Sequence, residues 1–116
     1  MENEKILALA EFLNVDEADI ADIREGYDSN IFEYYGEEYE VLTDEEADDR
    51  WEEELNYYIE ECIIPELPEN MQNYFDEEAW KRDARLDGRG HAISRYDGNE
   101  NEAKINDTYY YIYRQN

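Results

Sequence analysis

Residues 43–63 read TDEEADDRWEEELNYYIEECI, and this stretch decides the fold of the chain. Thr43 and Glu46 have the spacing of a capping box, in which the two side chains satisfy free amides at the start of a helix. Apolar residues then recur every three or four positions and predict a stripe that faces the core. These residues are Ala47, Trp51, Leu55, Tyr58 and Cys62. The sequence therefore predicts a long helix that begins after Thr43 and ends near residue 63, ahead of Pro65.

The negative charge of the chain is concentrated around this helix. Residues 26–80 hold 20 acidic residues and a single base, Arg50, so they carry −19 of the net charge of −24. Residues 1–25 carry −6 and residues 81–116 carry +1. Charge this dense raises the energy of the compact state through self-repulsion, so a sequence that keeps it is expected to need a negative surface.

The N-terminal patterns predict short helices and a hairpin. Helical spacing of apolar residues predicts a first helix over roughly residues 3–13. Asp16 is a candidate N-cap for a second short helix, which Gly26 is expected to stop. Two β-leaning runs, residues 30–34 and 38–42, then predict a β-hairpin with its turn at Gly36.

The C-terminal patterns predict one more helix and a pair of strands. Asp76 is expected to cap a helix that runs to Leu86, with Gly88 as the stop. Ile93–Tyr96 and Tyr109–Tyr113 predict the strands, the second of them at a sheet edge, joined by a polar connection. The expected fold is therefore α+β, in a small single domain over residues 1–116.

Composition limits the classes of function. Cys62 is the only cysteine, which excludes an internal disulfide and a cysteine-based metal site and fits a reducing cytoplasm. The N-terminus lacks the pattern of a signal peptide, and no run approaches the roughly 20 apolar residues of a membrane span. The acidity argues against direct contact with nucleic acid or anionic lipid. The expected partner is therefore a basic DNA-binding protein, and nothing predicts a cofactor.

The polar side of the long helix is the candidate site. Residues 44–63 hold ten carboxylates over about 30 Å, a length in which duplex DNA presents roughly 18 phosphates. Carboxylates three or four residues apart are neighbours on the helix surface, at a spacing near that of phosphates on one strand. The candidate phosphate-mimicking residues are Glu45, Asp48, Asp49, Glu52, Glu53 and Glu60. A polar face that merely keeps the helix solvated is the alternative interpretation.

Four other features favour structural interpretations. Asp97–Asn101 resembles the start of a calcium loop, but the glycine and glutamate that the pattern needs are missing. His91 has no nucleophile motif near it in sequence. The bases around it are interpreted as counter-charge for the acidic helix or as a dimer contact; they are Arg85, Arg89 and Arg95. Cys62 lies on the apolar stripe and is expected in the core. Halophilic adaptation fits poorly, because residues 81–116 are not acidic.

A run before the last predicted helix is similar to a known family. The segment Ile64–Asp83 reads IPELPENMQNYFDEEAWKRD and resembles a run in the ArdA-type antirestriction proteins, with the likeness covering about residues 44–86. The matching positions are Asn73, Tyr74, Asp76, Glu78, Ala79, Arg82 and Asp83. The family's acidic helix would correspond to Asp44–Glu61. The resemblance implies an elongated acidic dimer that looks like bent DNA and occupies the DNA groove of type I restriction–modification enzymes.

These observations lead to one hypothesis and two alternatives. The hypothesis is a non-enzymatic, DNA-mimic-like inhibitor of a host defence enzyme, of antirestriction or anti-CRISPR type. The first alternative is an acidic phage or prophage adaptor that binds a basic protein, because the whole chain looks like small proteins of such genomes. The second is an enzyme, which would require a concave site around His91 with a perturbed carboxylate nearby.

Overall fold

The computed structural model describes residues 3–116, and these form one five-stranded antiparallel sheet with helices on both faces. The α-helices are α1 (Glu4–Leu13), α2 (Asp44–Tyr58), α3 (Glu77–Arg85) and α4 (Arg89–Ile93). The strands are β1 (Arg24–Glu25), β2 (Ile31–Tyr34), β3 (Glu37–Thr43), β4 (Asn101–Ile105) and β5 (Thr108–Arg114). Their order in the sheet is β1-β2-β3-β5-β4. The α+β class predicted from the sequence is confirmed.

Helix α1 covers one face of the sheet. The Asn3 side chain caps its start by accepting from the Lys5 amide, and Asn14 ends it in the left-handed conformation with φ 58°. Side chains that alternate along the strands meet the helix on this face, as the period of two requires. The buried residues here are Ala8, Leu9, Ala10, Ile23, Phe32, Tyr39, Val41, Ala103, Tyr110 and Ile112. The second helix predicted after Asp16 is a 3-10 turn over Glu17–Asp22, which leads into the short strand β1.

Helices α2 and α4 cover the opposite face. Their contact with the sheet is a small cluster of Leu42, Ala47, Ile93 and Tyr113, all buried. Trp51 packs against this cluster while half-buried. The apolar stripe predicted from the sequence is buried at Ala47 and Leu55 and half-buried at Trp51, whereas Tyr58, at the end of α2, is exposed.

The predicted capping box is present, but α2 changes character after Tyr58. Thr43 Oγ1 accepts from the Glu46 amide at 3.2 Å, and the Glu46 carboxylate accepts from the Thr43 amide at 2.9 Å. Beyond Tyr58 the backbone widens into a π-helical segment, Ile59–Ile63. Ile59, the fourth residue after the buried Leu55, continues the buried stripe, and the wider turn shifts the facing of the residues that follow it. The prediction that Cys62 lies in the core is wrong, because this shift leaves it exposed.

Both hairpins turn through two residues with positive φ, as the twist of antiparallel strands favours. The predicted hairpin is confirmed as β2–β3, with Tyr35 at φ 50° and Gly36 at φ 83°. In the second hairpin, β4–β5, the turn residues are Asn106 and Asp107.

The C-terminal strand pair exists, but one of its predicted members is wrong. Residues 89–93 form α4 and not the start of a strand, and the partner of β5 is β4, inside the stretch expected to be a polar connection. Ile93 is buried against α2 and the sheet, and this contact favours a helical turn over an added strand. The expectation that the tyrosine strand lies at an edge is also wrong, because β5 pairs with both β3 and β4.

The molecule is elongated. Its extents are 60 × 28 × 23 Å, and its radius of gyration is 16.9 Å, against about 13 Å for a compact chain of this length. Residues 59–88 explain much of the length, because only Ile59 and Lys81 are buried among them. This part of the chain contains two 3-10 turns, Ile64–Glu66 and Glu69–Tyr74, and then α3, which Asp76 caps by accepting from the Ala79 amide.

Candidate partner-binding site

Five of the six predicted carboxylates lie on α2, within an arc of about 140° around its axis. The sixth, Glu60, lies exposed on the π-helical segment that follows. The five on α2 are Glu45, Asp48, Asp49, Glu52 and Glu53. All of them lie on the side of α2 turned away from Ala47, the residue buried against the sheet.

Three of these carboxylates form a straight row, which we call the carboxylate row. Glu45, Asp49 and Glu53 stand four residues apart and are exposed, so they follow one another at about 6 Å along the helix. None of the three forms an ion pair with any residue in 3–116. A row of unpaired carboxylates at this spacing presents its full charge to the solvent or to a partner.

Glu52 is instead engaged by bases of α3. Its carboxylate lies 2.6 Å from Lys81 Nζ and 2.5 Å from Arg85 Nη2. The hydrogen bond from Lys81 lowers the pKa of Glu52, and Arg85 adds to the effect. Lys81 is buried, with a side chain 7% exposed, while Glu52 remains 43% exposed. Glu52 therefore holds α3 against α2, and much of its charge is neutralised within the molecule.

Asp48 is engaged by Arg89, the first residue of α4. Arg89 Nη1 donates to Asp48 Oδ1 and to Asp44 Oδ1, both at 2.9 Å, and Nη2 lies 2.6 Å from the Glu100 carboxylate. The guanidinium also stacks on the Tyr111 ring at 4.6 Å. Burial acts to lower the pKa of Arg89, but the hydrogen bonds and carboxylates outweigh it and raise the pKa.

The predicted role of the basic cluster is confirmed for two of its members. Arg85 and Arg89 both pair with carboxylates of α2, as internal counter-charge should. Arg95 forms no ion pair within the described chain, and it is exposed. The net effect is that the α3 and α4 side of α2 is neutralised, whereas the carboxylate row is not.

Arg50, the single base in residues 26–80, neutralises a buried acid. Its Nε donates to Glu40 at 3.2 Å, and its Nη1 donates to Glu54. Glu40 points from β3 with a side chain only 9% exposed. Burial raises the pKa of Glu40, and Arg50 acts in the opposite direction. Arg50 therefore ties α2 to the sheet and leaves the carboxylate row without a counter-ion.

An open groove lies beside the carboxylate row. It has a volume of 410 Å³ and separates α2 from the turn before β2. Asp49 and Glu53 form one wall, and Asp28 and Glu46 contribute further carboxylates. Tyr27 stands at its side and is 83% exposed. The negative surface thus continues from the helix into a concave strip.

The charge density of the whole molecule approaches that of a nucleic-acid duplex. A net charge of −24 along a longest extent of 60 Å amounts to about one charge per 2.5 Å, against about one per 1.7 Å in duplex DNA.

A protein-family model matches residues 1–96 of the 116 residues, and its description is antirestriction protein (ArdA). The chain belongs to the ArdA family. Members of this family inhibit restriction enzymes as DNA mimics and are not themselves enzymes. The resemblance stated for residues 44–86 is thus confirmed over a longer part of the chain. Comparisons with curated proteins and with solved structures found no match.

The ArdA match ends just before the β4–β5 hairpin. Residues 97–116 lie outside it, although β5 sits between β3 and β4 and contributes Ile112 and Tyr113 to the two cores. The carboxylate row, the groove and α3 all lie inside the matched part.

Two further observations concern chemistry and membranes. Among residues 3–116 no group of three or more histidine, cysteine or acidic side chains is arranged to hold a metal ion, and His91 lies in the wall of a cleft together with Glu54 and Asp87. No helix in the described chain is long and apolar enough to cross a membrane.

The structure also contains features that the sequence did not reveal. Glu40 and Lys81 are buried charges whose partners lie 10 and 29 residues away. One sequence pattern could have indicated that Lys81 is buried, since this residue falls on the side of α3 that carries Trp80 and Ala84. No sequence pattern predicted the groove, because Asp28 is brought next to α2 only when the β2–β3 hairpin folds.

Proposed function

We propose that this chain inhibits a DNA-dependent restriction enzyme by placing the carboxylate row where the enzyme binds DNA phosphates. The observation that carries the proposal is the row itself: Glu45, Asp49 and Glu53 are exposed and unpaired, although ten bases are present in the chain. A face that only kept the helix soluble would not require the bases to lie on one side of the helix and the free acids on another. Glu60 would extend the row. Asp48 and Glu52 are already paired with bases of the chain, so they would contribute to binding only through the part of each carboxylate that stays exposed.

The target class we propose is a type I restriction–modification enzyme, with a CRISPR-type effector as the second class to test. Both bind duplex DNA in basic grooves, and a mimic need only match charge and shape to enter them. No catalytic step is proposed, because inhibition requires only occupancy of the groove. We further propose that the protein acts in the cytoplasm, where such enzymes meet DNA, and that two copies join to lengthen the negative strip.

The decisive experiment is displacement of DNA from the enzyme. A labelled duplex is bound to a purified type I enzyme, and its release by the chain is followed by fluorescence anisotropy. We expect the triple variant Glu45→Lys, Asp49→Lys and Glu53→Lys to lose at least about 10-fold in displacing power, since attraction becomes repulsion at three contacts. Circular dichroism is recorded to show that the variant is folded.

The matched control reverses three exposed acids away from the row: Glu11, Glu17 and Glu102. It changes the net charge equally, so it isolates position from total charge. Equal loss in both triples would reduce the proposal to non-specific electrostatics, and full displacement by the row variant would refute it. Binding that salt weakens but DNA does not displace would favour the adaptor interpretation.

A further inference from the structure

A second concave site lies at the end of the carboxylate row, between α2, α3 and α4. We call it the aromatic cleft; its volume is 490 Å³. The Tyr58 and Trp80 rings line it, stacked in parallel with 5.4 Å between centroids and 8° between planes. Tyr57 stands beside them with 62% of its surface exposed. Burying so much aromatic surface would stabilise a complex, yet within residues 3–116 nothing covers it.

The carboxylate row leads into this cleft. Tyr57 is the fourth residue after Glu53 and therefore occupies the next position of the same row, about 6 Å further along α2. A partner that follows the row thus meets the cleft directly after its last carboxylate. The two surfaces form one continuous strip, acidic at one end and aromatic at the other.

The charges at the cleft select the occupant. Glu54 and Asp87 are the carboxylates in its wall, and Glu54 is already paired with Arg50, which leaves Asp87 free within the described chain. Among the described residues that line the cleft His91 is the only base, and Lys81 and Arg85 of the neighbouring α3 are held by Glu52. A free carboxylate beside an open aromatic face is complementary to a planar cation.

We propose that the aromatic cleft binds an arginine side chain of the basic partner, which stacks on Tyr57 beside the Tyr58–Trp80 pair and pairs with Asp87. This inference rests on the proposed function and specifies the chemistry of one contact within it. The chain already uses the same contact internally: the Arg114 guanidinium lies 3.8 Å from the Tyr96 ring centroid.

The test uses hexa-arginine and hexa-lysine peptides as probes and the full chain labelled with ¹⁵N. The indole N–H signals of Trp80 and Trp51 report on the cleft and on the core respectively. We expect hexa-arginine to shift the Trp80 signal and leave Trp51 unchanged, and hexa-lysine, of equal charge, to shift Trp80 less.

A matched pair of variants tests the contact. Tyr57→Ser removes the most exposed ring of the cleft, and Tyr74→Ser removes a ring that is 81% exposed elsewhere. We expect Tyr57→Ser to weaken hexa-arginine binding by about 3- to 10-fold and Tyr74→Ser to leave it unchanged. Equal affinities of the two variants, or an unmoved Trp80 signal, would overturn the proposal. A Trp80 shift that depends on protein concentration without peptide would assign the cleft to a second copy and overturn it as well.

The peptide test and the DNA-displacement test fail independently. If the chain does not displace DNA from a restriction enzyme, the proposed function fails while the peptides still decide the arginine contact. If the chain displaces DNA but Tyr57→Ser behaves like Tyr74→Ser towards hexa-arginine, the cleft proposal fails and the proposed function stands.

Discussion

At the scale of single residues, Glu52 is the side chain on which the position of α3 depends. Replacing Glu52 by Gln leaves the buried Lys81 ammonium without its counter-charge. Removing one partner of a buried pair costs about 3–5 kcal/mol, but Glu52 is 43% exposed, so we expect about 1–2 kcal/mol. Denaturant unfolding measures the loss, and hydrogen exchange should show faster exchange in α3. Glu45→Gln is the control and should change stability by less than about 0.5 kcal/mol.

The same ion pair predicts a dependence on pH. The pKa of Glu52 is lowered from its usual 4.5 by Lys81, so its contribution is fully present above the unfolded pKa and is lost as pH falls through the folded one. The difference in unfolding free energy between the native chain and Glu52→Gln should therefore be largest at pH 7 and shrink below about pH 4.5. A difference that stays constant from pH 7 to pH 3 would show that the pair does not contribute through charge.

At the scale of elements, the sequence predicted the features that contacts between residues close in the chain determine. The start of α2 was predictable because a capping box spans only Thr43 to Glu46, and β2–β3 because its turn residues are adjacent. Helix α4 was not predictable from its own residues. Its five residues are too few to be stable alone and are held by contacts with α2 and with residues 98–100.

Gly90 makes this contact possible and provides a test. A Cβ added there would lie 2.6 Å from the Glu100 amide nitrogen and 2.7 Å from the Gly98 carbonyl oxygen, so backbone would have to move. We expect Gly90→Ala to destabilise the fold by about 1–3 kcal/mol, as overpacking does. Loss of the Arg89 contacts with α2 should accompany it and appear in the NMR signals of residues 44–48. An unchanged melting temperature would show that α4 can shift without cost.

The sequence predicted that the candidate site is an acidic helix face, but not which of its carboxylates are free. The sequence located the acidic helix and its polar side, because both follow from helical periodicity. It did not separate the free carboxylates from Asp48 and Glu52, whose bases come from 41 and 29 residues away. Nor did it predict the aromatic cleft, which needs Trp80 of α3 to stack on α2.

At the scale of the whole molecule, salt should act with opposite signs on folding and on binding. The chain has 34 acids against 10 bases, so repulsion exceeds the internal ion pairs that salt also weakens. The carboxylates of the row stand about 6 Å apart, within the screening length of about 10 Å at 0.1 M salt. Raising salt from 50 to 500 mM should therefore relieve repulsion and raise the melting temperature by about 5 °C.

Over the same range, displacement of DNA from a restriction enzyme should weaken by at least about 10-fold, because the contacts of a basic groove with carboxylates are screened. The row variant Glu45→Lys, Asp49→Lys and Glu53→Lys should show a smaller rise in melting temperature, since it has less repulsion to relieve. If stability rises with salt while displacement is unaffected, the acids contribute to solubility and not to recognition. For a surface that replaces DNA, stability and binding are expected to respond to salt in opposite directions, because its charge opposes folding and becomes favourable only against a basic partner.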